Sequence, residues 1–264
     1  MFRLSACLWS LRQPPRDAVA RVRLAGFDYV DLRSDCWSGI ADRADAERLG
    51  VRVPCVGITP VQMEAGLTLD SIATKDAGRA LPFLLGALER GAKLGASRAY
   101  MLTPSGRVAE TSYYQDSIRT LADKASELGL KLCIEPTPGR ALASSAEVLA
   151  FVRKLGHPGL YVLIDLGHNL ITNEDPVEAV RAAVDRLGYV HIDDNDGKSD
   201  LHRALFDGVL KPTVMAAFLQ ALQESGYDGT IGIEIRNSLP APMSAVVAAR
   251  DYVVEWGRSK TLPA

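Results

Sequence analysis

The feature that most constrains this chain is a glycine that returns at a nearly regular interval: Gly26, Gly50, Gly95, Gly129, Gly156, Gly188 and Gly226. Each follows a stretch with helical periodicity and precedes a short apolar run. Each therefore reads as a helix C-terminal stop, where a residue without a Cβ turns the backbone left-handed at no steric cost. The interval averages roughly 33 residues, the length of one strand-loop-helix unit. The units share little sequence identity, so the repeat is one of structure.

Short apolar runs follow the glycines at Tyr29–Leu32, Val53–Ile58, Arg98–Leu102, Lys131–Glu135, Tyr161–Asp165, Tyr189–Asp193 and Thr230–Arg236, and Arg3–Trp9 brings the number to eight. Between them, Asp17–Ala25, Ala77–Leu94, Ser112–Leu128, Ser145–Leu155, Pro176–Leu187, Thr213–Ser225 and Met243–Trp256 have the period of amphipathic helices. The helix after the second strand has the weakest pattern. Eight alternations without a break in composition predict one parallel (β/α)8 barrel, an α/β fold, as a single domain over residues 1–264. Periodicity by itself also fits an open, doubly wound sheet. The turn-rich segment from Thr59 to Asp70, with Gln62, Met63 and Glu64, is the candidate lid.

With 47% hydrophobic and 23% charged residues the chain has the makeup of a globular protein that buries a large core. A net charge of −2 supplies no broad basic field for nucleic acid or an anionic membrane, which leaves a small molecule as the expected partner. Cys7, Cys36, Cys55 and Cys133 have no C-x-x-C spacing, and three of them lie in apolar strand-like runs, so a disulfide framework is not expected. The run from Leu4 to Leu11 is too short to span a bilayer and reads as the first strand, which places the chain in the cytoplasm.

Barrel active sites lie at the C-terminal ends of the strands, so polar residues that terminate apolar runs are the ones of interest. Four stand out: Glu135 closing Lys-Leu-Cys-Ile, Asp165 closing Tyr-Val-Leu-Ile, His191 within Tyr-Val-His-Ile-Asp-Asp, and Glu234 closing Ile-Gly-Ile. Any one of these carboxylates could be half of a buried salt bridge, and a lone strand histidine is more often a core residue than a ligand. All four on successive strands point instead to one divalent ion. Three carboxylates and one imidazole suit Mn2+, Mg2+, Co2+ or Zn2+ with open positions, and not thiolate-rich structural zinc.

Through Ile134-Glu135-Pro136, Asp165-Leu166-Gly167-His168, His191-Ile192-Asp193-Asp194-Asn195-Asp196-Gly197 with His202 and Arg203, and finally Glu234, the chain resembles the sugar isomerase/epimerase superfamily with the xylose-isomerase-like TIM barrel. The likeness runs over essentially the whole chain. It implies that Glu135, Asp165, His191 and Glu234 bind the metal, with Mn2+ the first expectation. It also implies that His168, His202 and Arg203 contact substrate oxygens, and that Glu135 and Glu234 add acid/base roles from opposite sides of the site. The implied reaction removes a proton next to a metal-bound carbonyl, forms an enediolate, and returns the proton as an epimerase or isomerase of a keto-sugar or related polyol.

The alternative implied by the same superfamily is a lyase or dehydratase acting on an inosose, a dehydroshikimate-like compound or an oxidised (3-keto) glycoside. His168 or His202 would then protonate the leaving group. The endonuclease branch of the fold uses many histidines, and this chain has four. A binding protein that keeps barrel and metal without turnover is a further class, with Trp9, Trp37 and Met63 as pocket residues. Asp31, Arg33, Trp37 and Tyr113 are further candidates for the pocket or the surface. Homo-oligomers are common among related barrels. Two departures from the relatives are visible, Glu135-Pro136-Thr137-Pro138-Gly139-Arg140 in place of an Asn-Arg type continuation, and Phe206-Asp207-Gly208 in place of Gly-x-Gly. Both predict substrate loops of altered shape.

Overall fold

A computed structural model describes residues 2–34, 39–59, 63–64, 66–106 and 111–260. Eight strands close into a parallel barrel in chain order: β1 (Arg3–Cys7), β2 (Tyr29–Arg33), β3 (Cys55–Gly57), β4 (Arg98–Leu102), β5 (Lys131–Glu135), β6 (Leu160–Asp165), β7 (Leu187–Ile192) and β8 (Thr230–Ile233). Closure comes from β1 pairing in parallel with β8, Ser5 against Gly232. This excludes the open sheet that periodicity alone allowed. β3 is shorter than the expected run Val53–Ile58, because Pro54 has no N–H for the ladder and offers only its carbonyl, to Ser97 and Arg98.

The helices are α1 (Pro15–Leu24), α2 (Arg43–Arg48), α3 (Ala77–Lys93), α4 (Ser112–Glu127), α5 (Ser145–Leu155), α6 (Leu166–Ile171), α7 (Pro176–Ala182), α8 (Pro212–Glu224) and α9 (Pro242–Ser259). The weakly patterned helix after the second strand is therefore real, six residues long, and started by Asp42, whose carboxylate accepts the Asp45 N–H at 2.8 Å. At α5, Ser144 and Glu147 form a reciprocal capping box, and Gly156 ends the helix in the left-handed region.

Six of the seven spaced glycines have positive φ, from 66° at Gly156 to 87° at Gly26, as helix stops require. Gly188 does not, and its reading as a stop is corrected: it lies inside β7, and α7 ends earlier, at Ala182. A Cβ at Gly188 would stand 2.4 Å from Cys133 Sγ and 2.7 Å from Tyr161 Cβ. The glycine is there to let neighbouring strands pack.

Alternation along the strands sorts side chains into two cores. One face of each strand, including Leu4, Ala6, Val30, Leu32, Val56, Ile134, Val162, Ile164, Val190, Ile192, Ile231 and Ile233, packs against the helices. The other face fills the barrel interior with Cys55, Tyr100, Cys133, Leu163 and Tyr189, against which Trp9, Leu102 and Tyr161 pack. Counting two residues further along the inward face of β5, β6 and β7 from Cys133, Leu163 and Tyr189 reaches Glu135, Asp165 and His191. The cluster thus sits directly above an apolar plug. Among the described residues, no helix is long and apolar enough to cross a membrane.

Candidate active site at the barrel mouth

Register brings the strand ends to one level: Asp165 pairs with His191, and His191 with Gly232, two residues before Glu234. One ligand atom from each of Glu135, Asp165, His191 and Glu234 lies within 4.8 Å of the others, and all four residues are buried. His191 Nδ1 is 2.9 Å from Glu234 Oε2, 3.4 Å from Glu135 Oε1 and 4.0 Å from Asp165 Oδ2. Two ligands on opposite sides of one ion, each bonded at roughly 2.1–2.3 Å, are about 4.2–4.6 Å apart, so this spread fits a single divalent cation.

Asp165 has one carboxylate oxygen in use and one to spare. Its Oδ1 accepts the His168 N–H at 2.9 Å and so caps α6, while Oδ2 is buried with no hydrogen-bond partner among the described residues. A buried carboxylate oxygen without a hydrogen bond is costly, and a cation among three carboxylates would satisfy it.

Electrostatics separates the two glutamates. Burial pushes the Glu135 carboxyl above its ordinary range, although His191 opposes the shift. Burial acts the same way on Glu234, but there the His202 and His191 imidazoles win and hold the carboxyl well below its usual range. The Trp9 indole N–H adds a 2.7 Å bond to Glu234 Oε1. Burial would favour a neutral His191, yet Glu234 opposite raises its pKa well above the usual value.

The loop after β7 brings in the remaining candidates. His168, at the start of α6, turns Nδ1 to the Pro136 carbonyl at 2.8 Å and presents Nε2 toward Asp200 Oδ1 at 3.4 Å. Beside it His202 bonds the buried Asp193 carboxylate through Nδ1 and places Nε2 3.1 Å from Asp200 Oδ1 and 3.9 Å from Glu234 Oε1. Burial works against the His202 charge, but Glu234 and Asp193 raise its pKa to about 10. Arg203 is in the same loop, where its guanidinium donates to the Asp207 carbonyl at 3.1 Å. His202 therefore reaches Glu234 of the cluster, His168 stands beside it across Asp200, and Arg203 is held within its loop.

That loop is shaped by Asp194. Its carboxylate accepts the N–H groups of Asn195 (2.7 Å), Gly208 (2.7 Å) and Leu210 (2.9 Å), tying the far end of the loop back to β7. Phe206, which stands where the sequence comparison expects the first glycine of Gly-x-Gly, has a left-handed backbone at φ 72°, and its ring packs edge-on against Tyr252 at 4.8 Å.

Sequence reasoning assigned no role to Asp193, Asp194 or Asp200, although all belong to the polar run after the seventh strand that flagged His202. Of its pocket candidates, Trp9 bonds Glu234, the Arg33 guanidinium covers the Trp9 ring at 5.1 Å, and Asp31 is buried beneath His191. Met63 packs against the outer core and Tyr113 is half exposed. Trp37 and Cys36 are outside the described residues, as is Gln62 of the expected lid. The described part of that segment is anchored: Glu64 pairs with Arg79, and Asp70 accepts the Ser105 N–H at 2.7 Å. Cys7, Cys55 and Cys133 are free and buried.

A closed (β/α)8 barrel with one imidazole and three carboxylates converging at its strand ends defines the class. The chain belongs to the xylose isomerase-like TIM barrel family, whose sequence model matches residues 19–255. It is similar to the D-psicose 3-epimerase of Agrobacterium fabrum, 28% identical over 204 residues, which are 69% of this chain and 68% of that protein. It is also similar to an inosose dehydratase of Lacticaseibacillus casei, 25% identical over 153 residues, 52% of this chain and 51% of the other, so only about half of that enzyme's length is matched. The solved structure of an L-ribulose 3-epimerase has the same fold, with a TM-score of 0.78 at 20% identity, covering 98% of this chain and 95% of that one.

Proposed function

We propose that the chain is a divalent-metal-dependent epimerase or isomerase of a keto-sugar or related polyol. The observation that carries this reading is the convergence of Glu135, Asp165, His191 and Glu234, with one oxygen of Asp165 left without a hydrogen bond, above the apolar plug of the barrel. A divalent ion held there, with Mn2+ the first to test before Mg2+, Co2+ and Zn2+, supplies Lewis-acid stabilisation of charge developing on a substrate carbonyl oxygen.

The protein's own groups supply the proton chemistry. Glu135 ends β5 and Glu234 follows β8, so the two carboxylates enter the site from different sides of the barrel. One removes the proton from the carbon next to the carbonyl. The other returns a proton to the same carbon for epimerisation, or to its neighbour for isomerisation. Which of the two removes the proton depends on which face of that carbon carries it. His168, His202 and Arg203 are assigned to substrate oxygens, with Trp9 and the aromatic plug excluding water beneath them.

A second reading is a dehydratase, favoured by the likeness to inosose dehydratase and by two imidazoles beside the carboxylates. In that case His168 or His202 protonates a departing hydroxyl. The two readings separate in heavy water. Metal-loaded protein is incubated with D-psicose, L-ribulose and related ketoses, and with an inosose. An epimer carrying one solvent deuteron supports the first reading, and loss of water from the inosose the second. No turnover of any keto-sugar or inosose by the metal-loaded protein sinks both.

A further inference from the structure

Asp31, in the middle of β2, is buried on the side of His191 opposite the four-ligand cluster, and the proton chemistry above leaves it without a task. Its two oxygens are fixed: Ser5 Oγ donates to Oδ1 at 2.7 Å, Tyr189 OH to Oδ2 at 2.7 Å, and the Cys7 thiol to Oδ2 at 3.8 Å. Cys7, Asp31 and His191 form their own group with polar atoms within 4.8 Å of one another.

Gly232 makes this meeting possible. A Cβ at that position would stand 2.7 Å from Asp31 Oδ2, 2.7 Å from His191 Cδ2 and 3.2 Å from His191 Nε2. Nε2 is therefore the ring nitrogen on the Asp31 side, as Nδ1 is the one that faces Glu135, Asp165 and Glu234. The ring is also held in rotation, with Tyr100, Tyr189 and Trp9 edge-on to it at 5.1, 5.5 and 6.3 Å.

We propose that Asp31 is a positioning residue for His191: with Cys7 between them, its carboxylate keeps the ring's proton on Nε2 and leaves Nδ1 as the atom that binds a cation. The inference rests on the metal reading of the cluster. A histidine bonds a metal through one nitrogen, and an anionic acceptor behind the other sets both its tautomer and its donor strength. Here Nε2 has no direct hydrogen-bond partner among the described residues, and the Asp31 carboxylate, three strands away round the barrel and past a glycine, acts on it through its charge and the Cys7 thiol. The Ser5 and Tyr189 hydroxyls aim the carboxylate, so the arrangement is built from β1, β2, β7 and β8 together.

The test is Mn2+ binding to the chelator-stripped protein, followed by calorimetry, for wild type and Asp31→Asn. Asparagine keeps the shape and removes the charge. The expected result is affinity weakened about 10- to 100-fold, the range for loss of a partner behind a metal-bound histidine, with little change in melting temperature of the stripped proteins. Binding within twofold of wild type would overturn the proposal while leaving the metal reading intact, whereas a wild type that binds no divalent ion would overturn both. The Zn2+-loaded wild type, labelled with 15N in histidine, gives a readout that does not depend on whether the variant folds. Long-range proton–nitrogen NMR should show hydrogen on Nε2 and the metal on Nδ1 of His191, and the reverse assignment would overturn the proposal.

Discussion

His191 Nδ1 stands 2.9 Å from Glu234 Oε2 with 0% and 9% of the two side chains exposed, so neither group has bulk water to stabilise its charge. Each holds the other in its ionised form, and the pair is therefore a proton store at the point where a cation would bind.

Metal loading must displace that proton. Burial favours the neutral ring, but Glu234 lifts the His191 pKa well above its ordinary value, so at neutral pH the metal-free ring is charged. Binding should release about one proton from it, and apparent affinity should rise with pH until the ring deprotonates unaided. Calorimetry at pH 7 in buffers of different ionisation enthalpy measures the released proton directly. A binding enthalpy independent of buffer would contradict this account.

Replacing either Glu135 or Glu234 by Gln keeps side-chain size and removes a proton acceptor. Each change should lower kcat about 10²- to 10⁴-fold. The double replacement should abolish turnover while circular dichroism still reports the folded barrel, and unchanged activity would remove both residues from the mechanism.

Asp194 is the clamp of the loop that carries His202. Asp194→Ala leaves three N–H groups, those of Asn195, Gly208 and Leu210, without their acceptor and should cost more than about 2 kcal/mol in urea unfolding. KM should rise with it, because the same loop presents His202 and Arg203. A variant with wild-type stability and KM would show that the loop holds its shape by other means.

Gly188 and Gly129 should respond differently to alanine. At Gly188 the new methyl meets Cys133 Sγ and the Tyr161 Cβ inside the barrel wall, an overpacking cost of about 1–3 kcal/mol. Gly129 has open space around it, and its cost is the left-handed φ of 73°, about 1–2 kcal/mol. Melting the two variants alone and together checks the distinction: they lie in separate surroundings, so their costs should add.

What the sequence determined by itself is what local physics encodes. A glycine with positive φ after each of six helices is a local stereochemical demand, and it carried the count and order of the units. Glu135, Asp165, His191 and Glu234 were legible because a polar residue ending an apolar strand is anomalous wherever the strand lies, and family likeness added His168, His202 and Arg203.

Tertiary structure decided the rest, because closure of the barrel joins residues far apart in the chain. Gly188 looked like its six counterparts until Cys133 and Tyr161 were seen pressing on it. Trp9 meets Glu234, and Tyr189 meets Asp31, only once β1 pairs with β8 and the inward faces share one interior. Asp31 reads in sequence as one charge in an apolar strand. Its place behind His191 depends on the missing side chain of Gly232, a residue two strands away that no local pattern connects to it.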